Sequence, residues 1–484
     1  MSKRAADTTE LEAGRNCWRI ERASRASVIV DAADYFAAAR EAMLAAEHRI
    51  MLIGWDFDAR IKLGPDEPMK LGDFVLSLVR RRPGLEVYLL RWDMGVLKTL
   101  FRGTTVTTLV RWLLHKRIHT RLDGHHPTGG SHHQKIVVID DCFAFCGGID
   151  MTGDRWDTRA NRDSDPHRVR PGGKPYDPWH DATTALEGPV AAALGELARD
   201  RWKCAGGEEL PAVKGKADCW PDGLPRQFTE AEIAISRTRP DMPDLPELRE
   251  IEQLYLDQIA AAERHIYAES QYFASRRIAE AIARRLDEPD GPEIVLINPI
   301  SADGWLEQVA MDTARARLYQ ALHKRDPNGR LRLYHPYTAG GVPIYVHAKI
   351  LVVDDRVLRV GSSNLNNRSL GLDTECDVTI DARRTANAPA RPAIRAIRDG
   401  LIAEHLGAEP EEVARRIEES GSLIATIETL RGTGRSLRPY QVPDLGGVET
   451  WLADNEVLDP ESPEEMFEGF ASRGLFRRFR KTLR

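Results

Sequence analysis

His133-Gln134-Lys135-Ile136-Val137-Val138-Ile139-Asp140 is followed, after six residues, by Gly147-Gly148. The stretch His347-Ala348-Lys349-Ile350-Leu351-Val352-Val353-Asp354 repeats it 214 residues later, with Gly361-Ser362-Ser363-Asn364 after the same gap. Superposing the copies also aligns Ile136 with Ile350, Val138 with Val352 and Asp141 with Asp355, giving seven identities at one spacing. A pattern of that specificity met twice implies two similar halves whose half-sites build one active site.

The local chemistry is legible from parity. Each apolar, β-branched run bounded by Asp-Asp reads as a buried strand ending in a turn. Side chains on a strand alternate faces, so His133 and Lys135 project together, as do His347 and Lys349. Asp140 and Asp354 complete the two motif sets, but their opposite parity at the strand end suits a structural hydrogen-bonding role. Small residues after the return strand, Gly148 and Ser362 among them, let backbone approach a ligand. Two lysines converging on one cavity repel unless an anion lies between them, and phosphate is the natural guest. One neutral histidine can attack phosphorus while the other, protonated, hands a proton to the departing alcohol. No cofactor or metal is needed, because the lysines supply the charge stabilisation.

These residues carry a family resemblance. Ser131-His132-His133-Gln134-Lys135, Gly147-Gly148-Ile149-Asp150, Gly153-Asp154-Arg155-Trp156-Asp157 and Pro178-Trp179-His180-Asp181 resemble the phospholipase D superfamily, the HKD phosphodiesterases, and its phospholipase D proper branch most closely. Glu269-Ser270-Gln271-Tyr272-Phe273 and Gly361-Ser362-Ser363-Asn364-Leu365-Asn366-Asn367-Arg368-Ser369 resemble segments of the same branch. The resemblance covers most of residues 15–410. It implies two α/β/α sandwich halves, mixed sheets flanked by helices, related by a pseudo-twofold axis with one active site at their interface. It also implies that His133 is the nucleophile and His347 the general acid. A carboxylate stands behind each: Glu375 for the second copy, Asp181 for the first. Gly148, Asp150, Ser362 and Asn364 are the expected phosphate contacts. Asp150 stands where the common pattern has Asn, a mark of the eukaryotic-type branch.

Composition bounds the rest. The 484 residues are 42% hydrophobic and 29% charged, as in a globular protein, and the net charge of −6 disfavours a nucleic-acid partner. No apolar run is long enough to span a bilayer, and the start lacks a signal-peptide core, so cytoplasm is the expected location, with the inner face of a membrane as the alternative. The six cysteines are scattered; Cys142 and Cys146 are expected to fill core, and no paired spacing suits zinc.

Along the chain, residues 1–14 read as a flexible terminus, 15–205 and 230–410 as the two halves, 206–229 as a Gly/Pro-rich linker, and 411–484 as an extension. Helices are expected over Tyr35 to Ala46, Pro189 to Trp202 and Leu248 to Arg264. Strands are expected over Ile50 to Phe57, Leu85 to Leu90, Glu232 to Ile235, Ile266 to Glu269 and Ile294 to Ile297, an α/β alternation. Leu97 to Arg121 and Asn161 to Pro175 read as insertions shaping access. Arg473 to Arg484 carries six basic residues and an apolar helical face, the composition of a segment lying on an anionic membrane.

The expected function is hydrolysis of a glycerophospholipid to phosphatidic acid and a head-group alcohol by a monomer on a membrane surface, with head-group exchange through the same intermediate. A cardiolipin-synthase-like phosphatidyltransferase, a nuclease and a catalytically silent membrane scaffold are the alternatives. The first lacks its usual N-terminal membrane spans, the second is disfavoured by charge, and the third by two complete motifs.

Overall fold

The computed structural model describes residues 10–93, 110–216, 218–301 and 305–443. Its strands, numbered in chain order, form one large mixed sheet with mirrored halves. Outward from the centre, the first half runs β1 (Arg19–Val30), β8 (Ala182–Glu187), β6 (Phe143–Gly147), β5 (Ile136–Ile139), β2 (Arg49–Gly54), β3 (Glu86–Trp92) and β4 (Ile118–Asp123). The second runs β9 (Phe228–Arg239), β17 (Glu375–Asp381), β16 (Val357–Gly361), β15 (Ile350–Val353), β11 (His265–Glu269), β12 (Glu293–Ile297) and β13 (Leu331–Tyr337), and β18 (Ser436–Pro439) extends its edge. The outer three strands of each set are parallel and the inner ones antiparallel. Antiparallel pairing of β1 with β9 joins the halves. The short β10 (Leu248–Arg249) pairs with β9, and β7 (Trp179–His180) pairs in parallel with β14 (Tyr345–Val346) across the halves.

Strand parity divides the core into layers. Ile136, Val138, Ile350 and Val352 share one cluster spanning both halves, which also takes in Leu194 of α3 (Pro189–Cys204) and Leu401 of α7 (Arg391–Leu406). Val137 and Ile139 face the other way, against α1 (Ala32–Ala45) and α2 (Leu71–Arg81). Leu351 and Val353 do the same against α4 (Glu250–Ala261) and α5 (Arg276–Leu286). Helices α6 (Trp305–His323), α8 (Pro410–Ser420) and α9 (Leu423–Leu430) also lie in the second half of the chain. The motif strands are buried on both faces, which is why they read as unbroken apolar runs.

Several expectations are corrected. The strand expected over Ile50 to Phe57 ends at Gly54, and the helix expected from Leu248 begins at Glu250. The Leu97 to Arg121 segment is more than an insertion. Residues 97–109 lie outside the described residues, but Ile118–Asp123 is an edge strand, the counterpart of β13. Cys142 does not simply fill core: it forms a disulfide with Cys219, 77 residues on, tying the stretch between the halves to the first motif's hairpin turn. Cys146 is buried, as expected, with its Sγ 3.7 Å from that of Cys376. The basic segment Arg473 to Arg484 lies outside the described residues. Among those described, no helix is long and apolar enough to cross a membrane.

Candidate active site

His133 and His347 stand three residues ahead of β5 and β15, and each is held by the opposite half. The His133 N–H donates to the Thr374 carbonyl at 2.9 Å, and the His347 N–H donates to the His180 carbonyl at 2.7 Å. Thr374 and His180 are the residues just before Glu375 and Asp181. The carboxylates are therefore delivered across the interface. His133 Nδ1 lies 3.0 and 3.1 Å from the two oxygens of Glu375, and His347 Nδ1 lies 2.7 Å from Asp181 Oδ2. This reverses the expected pairing, in which each histidine used the carboxylate of its own copy. The register explains the crossing. Gly147 pairs with Thr183 and Gly361 with Asp377, so Asp181 and Glu375 occupy equivalent positions two residues earlier, each facing the other half.

The motif aspartates sit at the far strand ends. Asp140 accepts the backbone N–H groups of Glu47, His48 and Arg49 at 2.6–2.8 Å. Asp354 accepts those of Glu263, Arg264 and His265 at 2.6–2.8 Å. Both are buried, have positive φ of 51° and 53°, and are followed by Asp141 and Asp355 at 51° and 56°. Asp tolerates this left-handed region better than most residues, which accounts for the repeated Asp-Asp. Asp140 and Asp354 thus hold the start of the neighbouring strand and do not touch the reacting centre.

Three of the four expected phosphate contacts are engaged inside the protein. Asp150 takes the Trp55 N–H at 3.0 Å and pairs with Lys135 Nζ at 3.3 Å. The Gly148 N–H donates to the Ala182 carbonyl, and a Cβ at this glycine would fall 2.3 Å from Asp181 Oδ1. Gly148 is therefore required for the Asp181 carboxylate to fit. At the equivalent position, Ser362 donates its hydroxyl to Glu375 Oε2 at 2.5 Å, and Ser369 donates to Oε1 at 2.7 Å. Of these four residues, Asn364 is the one whose buried side-chain oxygen has no partner among the described residues.

Lys135 Nζ donates to the His133 carbonyl at 2.7 Å, and Lys349 Nζ donates to that of His347. The two differ in charge environment. Where Lys135 has Asp150, Lys349 has the neutral Asn364 at the corresponding position. Burial therefore pushes the Lys349 ammonium down to about 7, and the charge of Lys135 acts in the same direction against the pull of Asp181. His347 is held well below the usual imidazole range, first by burial and then by the charge of Lys349. Burial alone would raise the Asp181 carboxyl, but His347 and Lys349 outweigh it and hold it at about 2. Asp181 thus fixes the Nδ1–H of a neutral His347.

Behind Asp181 stands a support that sequence reasoning did not assign. Asp31 Oδ1 takes the Asp181 N–H at 3.0 Å. His180 is fully buried with Nε2 2.7 Å from Glu269 Oε2, and with Nδ1 3.1 Å from Glu404 and 3.4 Å from Asp31. His405 Nε2 lies 3.0 Å from the other Glu269 oxygen. Burial opposes the charge on His180, but Glu269 and Asp31 raise it well above the ordinary range. These residues form the described groups that bring three metal-ligating atoms within 4.8 Å of one another. Their evident role is to fix the backbone that holds His347. His180, Glu269 and Ser369 lie in motifs quoted above, whereas Asp31 and Glu404 offered no spacing from which to find them.

The aromatic rim completes the site. Trp179 lies 5.3 Å from His347, with Tyr345 stacked on it at 4.5 Å and the Arg155 guanidinium over it at 4.2 Å. On the side of the first motif, Trp55 stacks on Trp92 at 5.7 Å, and Trp92 Nε1 meets His126 at 3.1 Å.

Comparison with known proteins agrees with this architecture. The phospholipase D family model matches residues 42–219, and the model described as cardiolipin synthase, PLD-like domain, matches residues 255–391. Phospholipase D alpha 1 of Carica papaya is 24% identical over 77% of the chain and 64% of its own length. Phospholipase D A of Dictyostelium discoideum is 25% identical over 70% of the chain and 31% of its own length. The chain thus spans less than two thirds of these relatives. Phosphatidylserine synthase of Haemophilus influenzae shares the fold at a TM-score of 0.53, with 13% identity, over 86% of this chain and 98% of that one. With one matched domain in each half and relatives that align over 70–77% of the chain, the chain belongs to the phospholipase D superfamily.

Proposed function

We propose that the chain is a phospholipase D-type phosphodiesterase, cleaving a glycerophospholipid to phosphatidic acid and a head-group alcohol through a phosphohistidine. The carrying observation is the crossed pair of histidine–carboxylate contacts, joined by Lys135 and Lys349. In this reading the phosphodiester binds between the lysines and the Asn364 amide. His133, its Nδ1–H held by Glu375, attacks phosphorus through Nε2. His347, protonated under the influence of the bound anion and oriented by Asp181, donates its proton to the leaving alcohol oxygen. The neutral His347 then takes a proton from water, whose oxygen attacks phosphorus and releases His133. A second alcohol in place of water gives head-group exchange. Peripheral contact with a membrane, through Arg473 to Arg484, belongs to the same proposal.

A phosphatidyltransferase is the second reading, favoured by the cardiolipin synthase description of the model that matches the second half. Product analysis from a mixed phospholipid extract, with and without added alcohol, separates the two. The phospholipase reading expects phosphatidic acid in water and alcohol-dependent exchange. A product formed only when a second phospholipid supplies the acceptor would replace it with the transferase.

A further inference from the structure

Among the described residues seven large apolar side chains are exposed, and four of them, Val110, Leu113, Leu114 and Leu122, lie within one stretch of thirteen residues. Leu113 and Leu114 are 69% and 80% exposed, so they project from the surface and line no groove. Their backbone is nevertheless anchored. Trp112, in the same helical turn over residues 110–113, is buried, with its Nε1 donating to the Gly72 carbonyl at 3.1 Å and its ring 5.7 Å from that of Phe57. The chain then enters β4, which is an edge strand. Leu122 has the parity of Ile118, and Ile118 shares a core cluster with Trp112, so the four exposed side chains occupy one corner of the first half.

Cations rim that corner. Arg80 and Arg81, at the end of α2, and Lys116, just after the turn, are all exposed. Burial, then the charges of Arg117 and Arg80, hold the His115 imidazole below its ordinary range, which sets both guanidiniums beside the leucines. Among the described residues no carboxylate pairs with Arg80, Arg81, Lys116 or Arg117, and Asp73 close by is taken by Arg111 at 2.7 Å. Clustered apolar side chains ringed by unpaired cations match a partner that is anionic at its face and apolar beneath it. A second copy added to the open edge of β4 would instead bring two sets of these cations together. The corner also lies toward the active site. Phe57, against Trp112, follows closely on β2, and Trp55 between them stacks on Trp92 at the rim.

We propose that this corner is the surface by which the chain docks on an anionic lipid bilayer. Val110, Leu113, Leu114 and Leu122 enter the interface, while Arg80, Arg81, Lys116 and Arg117 meet the phosphates of the head groups. The contact is assigned to the folded first half, independently of Arg473 to Arg484. It rests on the membrane-surface part of the proposed function and not on which bond is cleaved. Docking there sets the Trp55 and Trp92 rim beside the bilayer.

Flotation of the full chain with vesicles of equal phosphatidylglycerol and phosphatidylcholine tests it. Leu113→Ser combined with Leu114→Ser should weaken binding about tenfold or more at low and high salt alike, since burial of leucine is not screened. Arg80→Gln combined with Lys116→Gln should weaken it at low salt by about fivefold for each charge, and much less at high salt. Hydrolysis of bis(p-nitrophenyl) phosphate in solution should be unchanged in both variants, because none of the four residues touches the site. If the paired leucine variant melts below the wild type, Leu114→Ser alone takes its place, with an expected loss of about fivefold. A wild type that leaves these vesicles unbound at low salt, or a leucine variant that binds them as tightly as the wild type, overturns the proposal. So does a dimer that sedimentation velocity shows to dissociate in the leucine variant while vesicle binding survives, for the corner is then a subunit interface. The function beneath can fail separately. If the leucine variant loses vesicle binding but the wild type cleaves no phospholipid, the docking surface stands and the phospholipase reading falls. Cleavage of phospholipid with binding unchanged in the leucine variant gives the reverse.

Discussion

At the scale of single residues, the two histidine half-sites are alike in geometry and unlike in electrostatics. The crossed carboxylates let the roles be tested separately. With a p-nitrophenyl leaving group, which needs no acid, Asp181→Asn should still form an adduct on His133. Glu375→Gln should slow that adduct by on the order of a hundredfold, the lower range for losing an oriented acid–base partner. Mass spectrometry of acid-quenched enzyme locates the phosphorylated ring, and an adduct on His347 would reverse the assignment. Lys349 gives a pH prediction. Burial holds its free-state pKa at about 7, and a bound anion raises it, so the anion binds the protonated form. Affinity for inorganic phosphate or vanadate should be flat below pH 7 as far as Lys349 contributes. It should fall as pH rises above 7, by up to about tenfold per unit for one linked proton. Calorimetry at pH 8 in buffers of different ionisation enthalpy should show uptake of close to one proton for Lys349, with any proton gained by His347 adding to it; none would refute the linkage.

At the scale of elements, the motif aspartates belong to the hairpins. Asp140→Asn and Asp354→Asn each replace a carboxylate that accepts three backbone N–H groups with an amide that cannot satisfy them all. Each should cost about 1–3 kcal/mol, read as a lower denaturation midpoint, with kcat of the folded enzyme nearly unchanged. A large loss of kcat at unchanged stability would return these residues to the chemistry. The sequence exposed such elements unevenly. The strands β5 and β15 were legible because both their faces are buried and their ends repeat. The central strand β1 was not: its first residues, Arg19-Ile20-Glu21-Arg22, look like polar terminus and become a strand only through pairing with β9. The carboxylate crossing was equally hidden. Asp181 and Glu375 were identifiable as residues, but their partners depend on a register between halves that no local spacing encodes. The Cys142–Cys219 disulfide was hidden for the same reason, since its two cysteines meet only after the chain folds back.

At the scale of the whole molecule, the site exists only where the halves meet. Residues 10–216 expressed alone carry His133 without Glu375, and residues 218–443 carry His347 without Asp181. Each half should therefore show no turnover above background, and co-expression of the two should restore it. Restoration requires β1 to find β9, whose pairing joins the sheet. Activity in either half by itself, measured on a soluble phosphodiester at dilution, would show that the crossed contacts are dispensable.

The exchange of carboxylates also constrains history. A gene encoding one half would have specified a histidine and an acid aimed away from each other, so an unduplicated ancestor could work only as a symmetric pair of identical subunits. Fusion ended the obligation of both copies to remain the same. Asp150 could then part from Asn364, and Gly148 with Asp181 from Ser362 with Glu375. The inequality of the two lysines is what such a tandem descendant can hold and a strict homodimer cannot.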